Sequence, residues 1–256
     1  MPLIRSDLAD SIATIAFDNY PRRNALSAAM VDEILAAFER FKAARARAVI
    51  IRSAVPGKVW SAGHAVDELP RAGVDPLPYN DPLECLLRAV KAFPAPVIAM
   101  VQGGAWGGAC DLVMSCDLVL GDETCAFAIT PAKLGLPYNV AGFLDFMSRI
   151  PLAVVKEMFF TADPLPADRA LQVGIVNAIV PAAELAARTL EIARTIASRS
   201  PAAIAAFKET IRVLSEASPI APATYEYLEG LRREVYFGHD YREGIQAFLE
   251  KRGPVF

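Results

Sequence analysis

Strand and helix signals alternate through the first 140 residues, and this alternation limits the possible folds more than any other feature. Short apolar runs rich in Val, Ile and Ala predict strands at 11–17, 46–53, 95–103, 118–123 and 125–130. Amphipathic or glycine-started segments predict helices at 27–44, 81–93 and 106–116. Such alternation is typical of an α/β fold, in which parallel strands are covered by helices.

Helical patterns dominate after about residue 139. They predict helices at 140–150 and 151–161, one short strand at 174–180, three further helices between 181 and about 237, and a last helix at 241–252. No stretch rich in Gly, Ser or Pro divides the chain. We therefore expect the helical end to pack on the core, or on a neighbouring subunit, and not to form a free domain.

Composition narrows the class of protein. Hydrophobic residues make up 54% of the 256 residues, so buried surfaces between subunits are expected. The net charge of −3, without a basic cluster, disfavours nucleic acid as a partner. No segment has the pattern of a signal peptide or membrane helix, which predicts a cytoplasmic protein. The four cysteines have no CxxC spacing and are expected to be buried, reduced thiols without a metal.

Two glycine-bearing segments are the candidate sites for chemistry, namely 59–70 (VWSAGHAVDELP) and 103–118 (GGAWGGACDLVMSCDL). Glycine lets a backbone approach a ligand closely, and a helix start presents unpaired N–H groups. One N–H from each segment could meet at a single oxygen and form an oxyanion hole. The simpler alternative is that both segments are glycine turns needed only for packing.

Five segments occur in the order and at the spacing of one enzyme family: PRRNALS, WSAGHAVDEL, GGAWGGACDLVMSCDLVL, AFAITPAKLGLP and DYREGIQAFLEKRGPVF. Over essentially its whole length the chain resembles the crotonase (enoyl-CoA hydratase/isomerase) family. The resemblance implies a spiral of ββα repeats over 1–195 and a helical trimerisation region over 196–256. It also implies a trimer or a dimer of trimers that binds acyl-CoA thioesters, with coenzyme A as part of the substrate and no separate cofactor or metal.

The resemblance also assigns roles to individual residues. It places the two oxyanion-binding N–H groups on His64 and Gly108. The remaining residues that it places at the substrate or coenzyme A are Arg22, Asn24, Ala25, Ala62, Val66, Trp106, Gly107, Pro131, Leu136, Phe248 and Lys251. The alternative for Arg22 and Lys251 is an ordinary solvated surface position.

The two acidic positions that hydratases of this family use are altered here. The first is Asp111, three residues after Gly108, and the second falls on Pro131. A general base must reach the proton that it removes, and proline offers neither a base nor a donor. Hydration of a double bond by a pair of acids is therefore poorly supported.

Decarboxylation of a malonyl-type thioester needs no protein base, because the departing CO2 leaves its electrons in an enolate. The oxyanion hole would stabilise that enolate, and a carboxylate at position 131 would only repel the substrate. Tyr138 could hold the substrate carboxylate by a hydrogen bond, within a pocket formed by Trp106, Leu136 and Pro137. We therefore predict conversion of methylmalonyl-CoA, or a similar thioester, to propionyl-CoA.

Some roles stay open at this point. The imidazole of His64 could touch the substrate, help to reprotonate the enolate, or be structural. Asp111 could contact the ligand as an acid or orient the glycine turn, and Tyr138 could be an ordinary half-buried tyrosine. Two other functions remain as alternatives: an enoyl-CoA hydratase or isomerase that uses Asp111, and a non-catalytic protein that binds acyl-CoA.

Overall fold

The structure is a computed structural model that describes residues 2–71, 73–217 and 219–256. Its strands are β1 Ile4–Ala9, β2 Ile12–Phe17, β3 Ala48–Ser53, β4 Val59–Ser61, β5 Val97–Val101, β6 Gly104–Trp106, β7 Leu118–Gly121, β8 Ala126–Ala128, β9 Leu165–Pro166 and β10 Ala178–Ile179. Its helices are α1 Ala28–Ala43, α2 Pro82–Ala92, α3 Gly108–Ser115, α4 Val140–Arg149, α5 Leu152–Thr161, α6 Ala167–Val173, α7 Ala182–Ala197, α8 Pro201–Ser215, α9 Pro222–Phe237 and α10 His239–Leu249. Three short 3-10 helices lie at Tyr20–Arg22, Val66–Glu68 and Pro131–Leu134.

The strands form two sheets. The larger has the order β1-β2-β3-β5-β7-β10, in which only the β1–β2 pair is antiparallel. The smaller has the order β4-β6-β8-β9, in which only β9 runs antiparallel. The parallel sheet predicted from the alternation is thus confirmed.

The chain contributes strands to the two sheets in turn, first to the larger sheet and then to the smaller one. β3, β5 and β7 lie in the larger sheet, and each is followed directly by its partner in the smaller sheet: β4, β6 and β8. Helices α2 and α3 follow the first two of these pairs. The chain therefore winds forward as a spiral of ββα repeats, as the resemblance implied.

The main core lies between the sheets and helices α1 to α3. Trp60 on β4 is fully buried there, packs edge-on against Phe17 at 5.0 Å between ring centroids, and donates its indole N–H to the carbonyl oxygen of Met100 at 2.9 Å. A second apolar layer covers the other face of the larger sheet, where Leu185 and Ala193 of α7 are buried. Both faces are thus covered, as strands that are apolar on both sides require.

The last three helices extend from this core. The predicted boundary at 195/196 falls inside α7, which ends at Ala197 and packs on the sheet, so the change of architecture lies between α7 and α8. Lys208 joins α8 to the core through Asp117 at 2.7 Å. Arg232 of α9 is buried and pairs with Asp75 at 2.8 Å, which ties the 73–80 loop to the helical region.

Several elements depart from the sequence prediction, and the short strands β4, β6 and β9 were among those not predicted. The edge strand β1 was not predicted, because all of its residues after Ile4 are exposed and it lacks the apolar signal of a buried strand. The strand predicted at 174–180 is wrong except at Ala178–Ile179, since Gly174 adopts a left-handed conformation and ends α6. Helix α6 itself was not predicted. The three helices between 181 and 237 and the final helix are confirmed.

All four cysteines are free thiols. Cys110, Cys116 and Cys125 are buried, as expected, but Cys85 is only half-buried, so the expectation is wrong for that residue. Across the part of the chain that the structure describes, every helix falls short of the length and apolar character needed to cross a membrane.

Candidate active site

The two glycine-bearing segments meet at Gly63, which follows β4, and Gly108, which begins α3. Gly63 has a φ of +82°, and a Cβ atom added to it would lie 2.2 Å from the carbonyl oxygen of Trp106 and 2.9 Å from the nitrogen of Gly108. No side chain fits that space, and the positive φ itself favours glycine. The close approach predicted for these segments is therefore present.

This approach sets two main-chain N–H groups side by side. A Cβ atom added to Gly108 would lie 3.2 Å from the nitrogen of His64. Gly107, with φ 52° and ψ −120°, turns the chain so that Gly108 is the first residue of α3. Within residues 2–71, 73–217 and 219–256, no acceptor takes a hydrogen bond from the N–H of His64 or of Gly108. Two adjacent, unpaired donors can bind one oxygen atom.

The His64 side chain is held between two acceptors. Its Nε2 lies 3.2 Å from Oδ2 of Asp81, and its Nδ1 lies 3.2 Å from the carbonyl oxygen of Ala65. Burial acts to lower the pKa of His64, but the hydrogen bond and the charge of Asp81 outweigh it, so the pKa is raised above its ordinary value. The charged form of the His64 imidazole therefore persists to higher pH than that of a free imidazole.

Asp81 also begins helix α2. Its Oδ1 accepts a hydrogen bond from the N–H of Leu83 at 2.9 Å, which is the usual role of an aspartate N-cap. Leu83 then lies against Gly108, because a Cβ atom added there would be 2.4 Å from Cδ2 of Leu83. The Asp81 carboxylate thus contacts His64 and also caps α2, the helix that places Leu83 against Gly108.

Tyr138 is buried within an aromatic cluster. Its ring packs edge-on against Phe159 at 4.8 Å and against Phe143 at 5.6 Å. Its hydroxyl is buried beside the carboxyl of Asp111, close enough for each group to act on the pKa of the other, but within the described residues it makes no hydrogen bond of normal distance and angle. Burial, and then the nearby carboxyl of Asp111, raises the pKa of Tyr138 well above its ordinary value. Tyr138 is therefore a rigidly held phenol with a proton to donate, and not merely a half-buried tyrosine.

Asp111 on α3 is buried beside this phenol. Burial raises its pKa well above the ordinary value of 3.8; the Tyr138 hydroxyl lowers it, and the nearby carboxylates of Glu84 and Asp145 raise it further. The ammonium of Lys91 partly offsets them and pairs with Asp145 at 2.6 Å. Asp111 therefore favours its neutral form, in contrast to a general base poised to accept a proton.

Pro131 occupies the position where a second acid was considered. It is buried at the start of the 3-10 helix Pro131–Leu134 and carries no group that titrates. Trp106 and Leu136, which were predicted to line the pocket, are half-buried. Leu136 packs against an apolar cluster that includes Leu69 and Tyr241, so this side of the site joins the helical region.

Asn24 lies within a network of hydrogen bonds. It is fully buried, its Nδ2 donates to Ser53 and to the carbonyl oxygen of Trp60, and its Oδ1 accepts from the N–H of Asn19. Its main-chain carbonyl accepts from Ser61 at 2.7 Å. These bonds give Asn24 a structural role in the 19–26 loop, and its predicted contact with coenzyme A stays a prediction.

The other residues predicted at coenzyme A lie on two parts of the surface. Arg22 is half exposed and pairs with Asp67 at 2.6 Å, and Ala25, Ala62 and Val66 are half-buried along the same edge. Phe248, 50% exposed, lies in the last turn of α10, and Lys251 is exposed just after that helix ends. These residues thus form two groups, one beside the 19–26 loop and one at the end of α10.

The sequence reasoning missed the charged side chains that surround the site. These are Asp81, Glu84, Lys91 and Asp145. The run Asp81-Pro-Leu-Glu84 had the spacing of a capping box, which signals a helix start but no link to another loop. Only the fold brings Asp81 to His64 and Glu84 to Asn139, whose Nδ2 donates to it.

A search of the described residues for three or more His, Cys, Asp or Glu side chains arranged to hold a metal ion found none.

A sequence model of the enoyl-CoA hydratase/isomerase family matches residues 7–256. The chain is 44% identical to methylmalonyl-CoA decarboxylase of Escherichia coli (strain K12) over 248 residues, which cover 96% of this chain and 95% of that protein. The chain belongs to the enoyl-CoA hydratase/isomerase family.

Solved structures agree with this assignment. The structure of methylmalonyl-CoA decarboxylase in complex with 2-nitronate-propionyl-CoA superimposes with a TM-score of 0.97 at 42% identity, covering 99% of this chain and 98% of that one. The complex of methylmalonyl-CoA decarboxylase with 2S-carboxypropyl-CoA also gives 0.97, at 41% identity, over 100% and 98% of the two chains.

Proposed function

We propose that this protein decarboxylates methylmalonyl-CoA, or a close malonyl-type thioester, to propionyl-CoA. The observation that carries the proposal is the close approach of the His64 and Gly108 N–H groups at the start of α3. A buried phenol lies next to Asp111 one turn further along that helix, and proline stands at the second acid position. Similarity along nearly the whole chain to methylmalonyl-CoA decarboxylase supports the same reaction.

The bond-breaking step can be written without a protein base. The C–C bond to the substrate carboxylate breaks, CO2 departs, and the electron pair enters the thioester as an enolate whose charge rests on the carbonyl oxygen. The N–H groups of His64 and Gly108 would bind that oxygen more strongly as the charge develops, which accelerates the step. A proton taken from solvent water then adds to the carbon that lost CO2 and gives propionyl-CoA.

Tyr138 would hold the departing carboxylate. Its hydroxyl is buried next to the carboxyl of Asp111 but makes no hydrogen bond of normal geometry, so it can donate to an acceptor on the substrate. A substrate carboxylate would be that acceptor, and the rigid ring would keep the breaking bond perpendicular to the plane of the thioester. A substrate without a second carboxyl group would lack this contact with Tyr138.

The neutral form of Asp111 suits an anionic substrate. Two carboxylates about 4 Å apart repel each other by about 4 kcal/mol at an effective dielectric constant of 20. Burial and the neighbouring acids, which raise the pKa of Asp111, remove that repulsion. A hydratase, by contrast, needs an ionised base to activate water, and neither a neutral Asp111 nor Pro131 supplies one.

Coenzyme A would lie along the edge formed by Arg22, Ala25, Ala62 and Val66, with Phe248 and Lys251 as further contacts. The support is the resemblance to the family and the exposure of these residues along two surfaces. The guanidinium of Arg22, which pairs with Asp67, would then also bind a phosphate group of coenzyme A.

We also propose that the protein acts in the cytoplasm as a homo-oligomer, a trimer or a dimer of trimers. Helix α8 carries large apolar side chains that are exposed in the single chain, including Phe207, Ile211 and Leu214. Exposed apolar clusters of this kind are typical of subunit interfaces. Sedimentation or light scattering of the 27.6-kDa chain would give the number of copies.

The reaction is tested by mixing the purified protein with methylmalonyl-CoA and following propionyl-CoA by mass spectrometry. The proposal predicts CO2 and propionyl-CoA in equal amounts, with little hydration of crotonyl-CoA. Turnover of crotonyl-CoA without decarboxylation would support the hydratase instead. Tight binding of both thioesters without any product would support a non-catalytic protein.

A further inference from the structure

The ring of His64 has a hydrogen-bond acceptor at each nitrogen. Asp81 Oδ2 lies 3.2 Å from Nε2, and the carbonyl oxygen of Ala65 lies 3.2 Å from Nδ1. A neutral imidazole has one N–H and one lone pair, so one of the two contacts would set a lone pair against an oxygen. Only an imidazolium donates in both directions, and the geometry therefore fits the charged ring.

The same residue supplies one of the two unpaired N–H groups. The imidazolium and this N–H group belong to one residue. The imidazolium charge therefore lies close to any oxygen that the His64 N–H binds. The side chains of His64 and Asp81 are only 14% and 9% exposed, so water screens the charges weakly. Because both ring N–H groups are already engaged, the ring acts through its charge and its fixed position and does not deliver a proton.

We propose that Asp81 is a positioning residue which holds His64 as a fixed imidazolium behind the oxyanion site, so that the site favours acyl groups that carry or develop negative charge. The inference rests on the proposed function, in which both the substrate carboxylate and the enolate are anionic. It extends that function by assigning a part in specificity to a pair of side chains outside the reacting atoms.

The charged groups around His64 act in one direction. Asp81 faces the ring from the start of α2, and Glu68 acts on it from the 3-10 helix Val66–Glu68. Glu84, one turn into α2, lies near enough to Asp81 for the two carboxylates to interact. Asp81 and Glu68 both favour the cation, while burial opposes it. Removal of the Asp81 charge should therefore lower the titration midpoint of His64.

Two variants at position 81 separate charge from structure. Asp81→Asn keeps a side-chain oxygen for the N–H of Leu83, and asparagine is as good an N-cap as aspartate, but it removes the charge. Asp81→Ala removes both. A third variant, His64→Gln, keeps the main-chain N–H and removes the imidazole.

The first measurement is an NMR titration of the imidazole Cε1–H signals in the whole protein. The chain has only two histidines, and exposed His239 provides the second signal. The titration midpoint of His64 should fall by about one pH unit or more in Asp81→Asn, as expected for loss of a close opposite charge. An unchanged His64 midpoint would overturn the proposal. This result does not depend on any enzymatic activity, so it stands even if the proposed reaction is wrong.

The second measurement is the pH profile of decarboxylation. Asp81→Asn should lose about tenfold in kcat where its His64 has become neutral, and approach the wild-type rate at lower pH, where the imidazole regains its proton within the usual histidine range. His64→Gln should show the loss without recovery at low pH. A purely structural role predicts instead that Asp81→Asn loses activity equally at every pH, or not at all, and either result would overturn the proposal.

Discussion

The hydroxyl of Tyr138 and the carboxyl of Asp111 are buried side by side, and each shifts the pKa of the other. Burial favours the neutral form of both groups. In the hydratases that the family resemblance describes, an acid at the position of Asp111 works with a second acid. Here Pro131 takes that second position, and the partner of Asp111 is a phenol. The site is therefore better suited to holding a carboxylate than to activating water.

Tyr138→Phe tests the role of the phenol. We expect kcat for decarboxylation to fall by about 10- to 100-fold, because a hydrogen bond to a charged group contributes roughly 1.5–3 kcal/mol. The edge-on contacts with Phe143 and Phe159 do not involve the hydroxyl, so the thermal midpoint should stay the same or rise. Steady-state kinetics and calorimetry check both. Tyr79→Phe, at a side chain that is 79% exposed, is the matched control and should change neither.

Gly108→Ala tests the paired N–H groups. The new methyl group would press on the flexible end of Leu83 and lie 3.2 Å from the His64 nitrogen. We expect kcat to fall by about 100-fold or more, as for loss of one oxyanion donor. The control is Gly230→Ala on α9, where an added Cβ has nothing within 4 Å and should leave the rate unchanged. Equal rates for the two variants would contradict the assignment.

The pH dependence of stability tests the state of Asp111. The pKa of Asp111 in the folded chain is raised above 3.8, its ordinary value. At a pH between 3.8 and the folded pKa, the folded chain therefore holds a proton that the unfolded chain has lost. The free energy of unfolding should therefore fall as the pH rises through that window, and level off above the folded pKa. Asp111→Asn should remove this part of the slope. Urea unfolding at a series of pH values measures it; an Asp111→Asn slope equal to that of the wild type would contradict it.

Asn24→Ala separates a structural role from ligand binding. Its side chain makes three buried hydrogen bonds, so we expect a loss of about 2–4 kcal/mol in the free energy of unfolding. The KM for the thioester should change little in the folded fraction. Denaturant unfolding and kinetics at a temperature well below the melting point measure the two effects. A large rise in KM with unchanged stability would instead return Asn24 to the coenzyme A site.

Much of this arrangement could be predicted from local patterns, for physical reasons. Gly63 and Gly107 need conformations that glycine adopts most readily, and the strand–helix alternation marks where they occur. The exposed strand β1 could not be found in the same way, because an edge strand with five exposed residues leaves no apolar signal. Its pairing with β2 becomes visible only when the sheet is built.

The charged surroundings of the site could not be predicted for a different reason. Asp81 precedes Pro82 and reads as an ordinary helix cap, a role that it does fill. Its second contact, to His64, joins residues 17 positions apart through the fold. Asn24 shows the same limit, since its family position suggested a ligand contact and gave no sign of the buried hydrogen bonds that its side chain makes to Ser53 and Trp60.

The most direct measurement is a crystal structure with a thioester analogue that cannot lose CO2. The account predicts that the thioester oxygen lies within about 3.2 Å of the main-chain nitrogens of both His64 and Gly108. It also predicts that the second carboxyl group lies within hydrogen-bond distance of the Tyr138 hydroxyl. An analogue bound with its thioester oxygen away from both nitrogens would contradict the central claim.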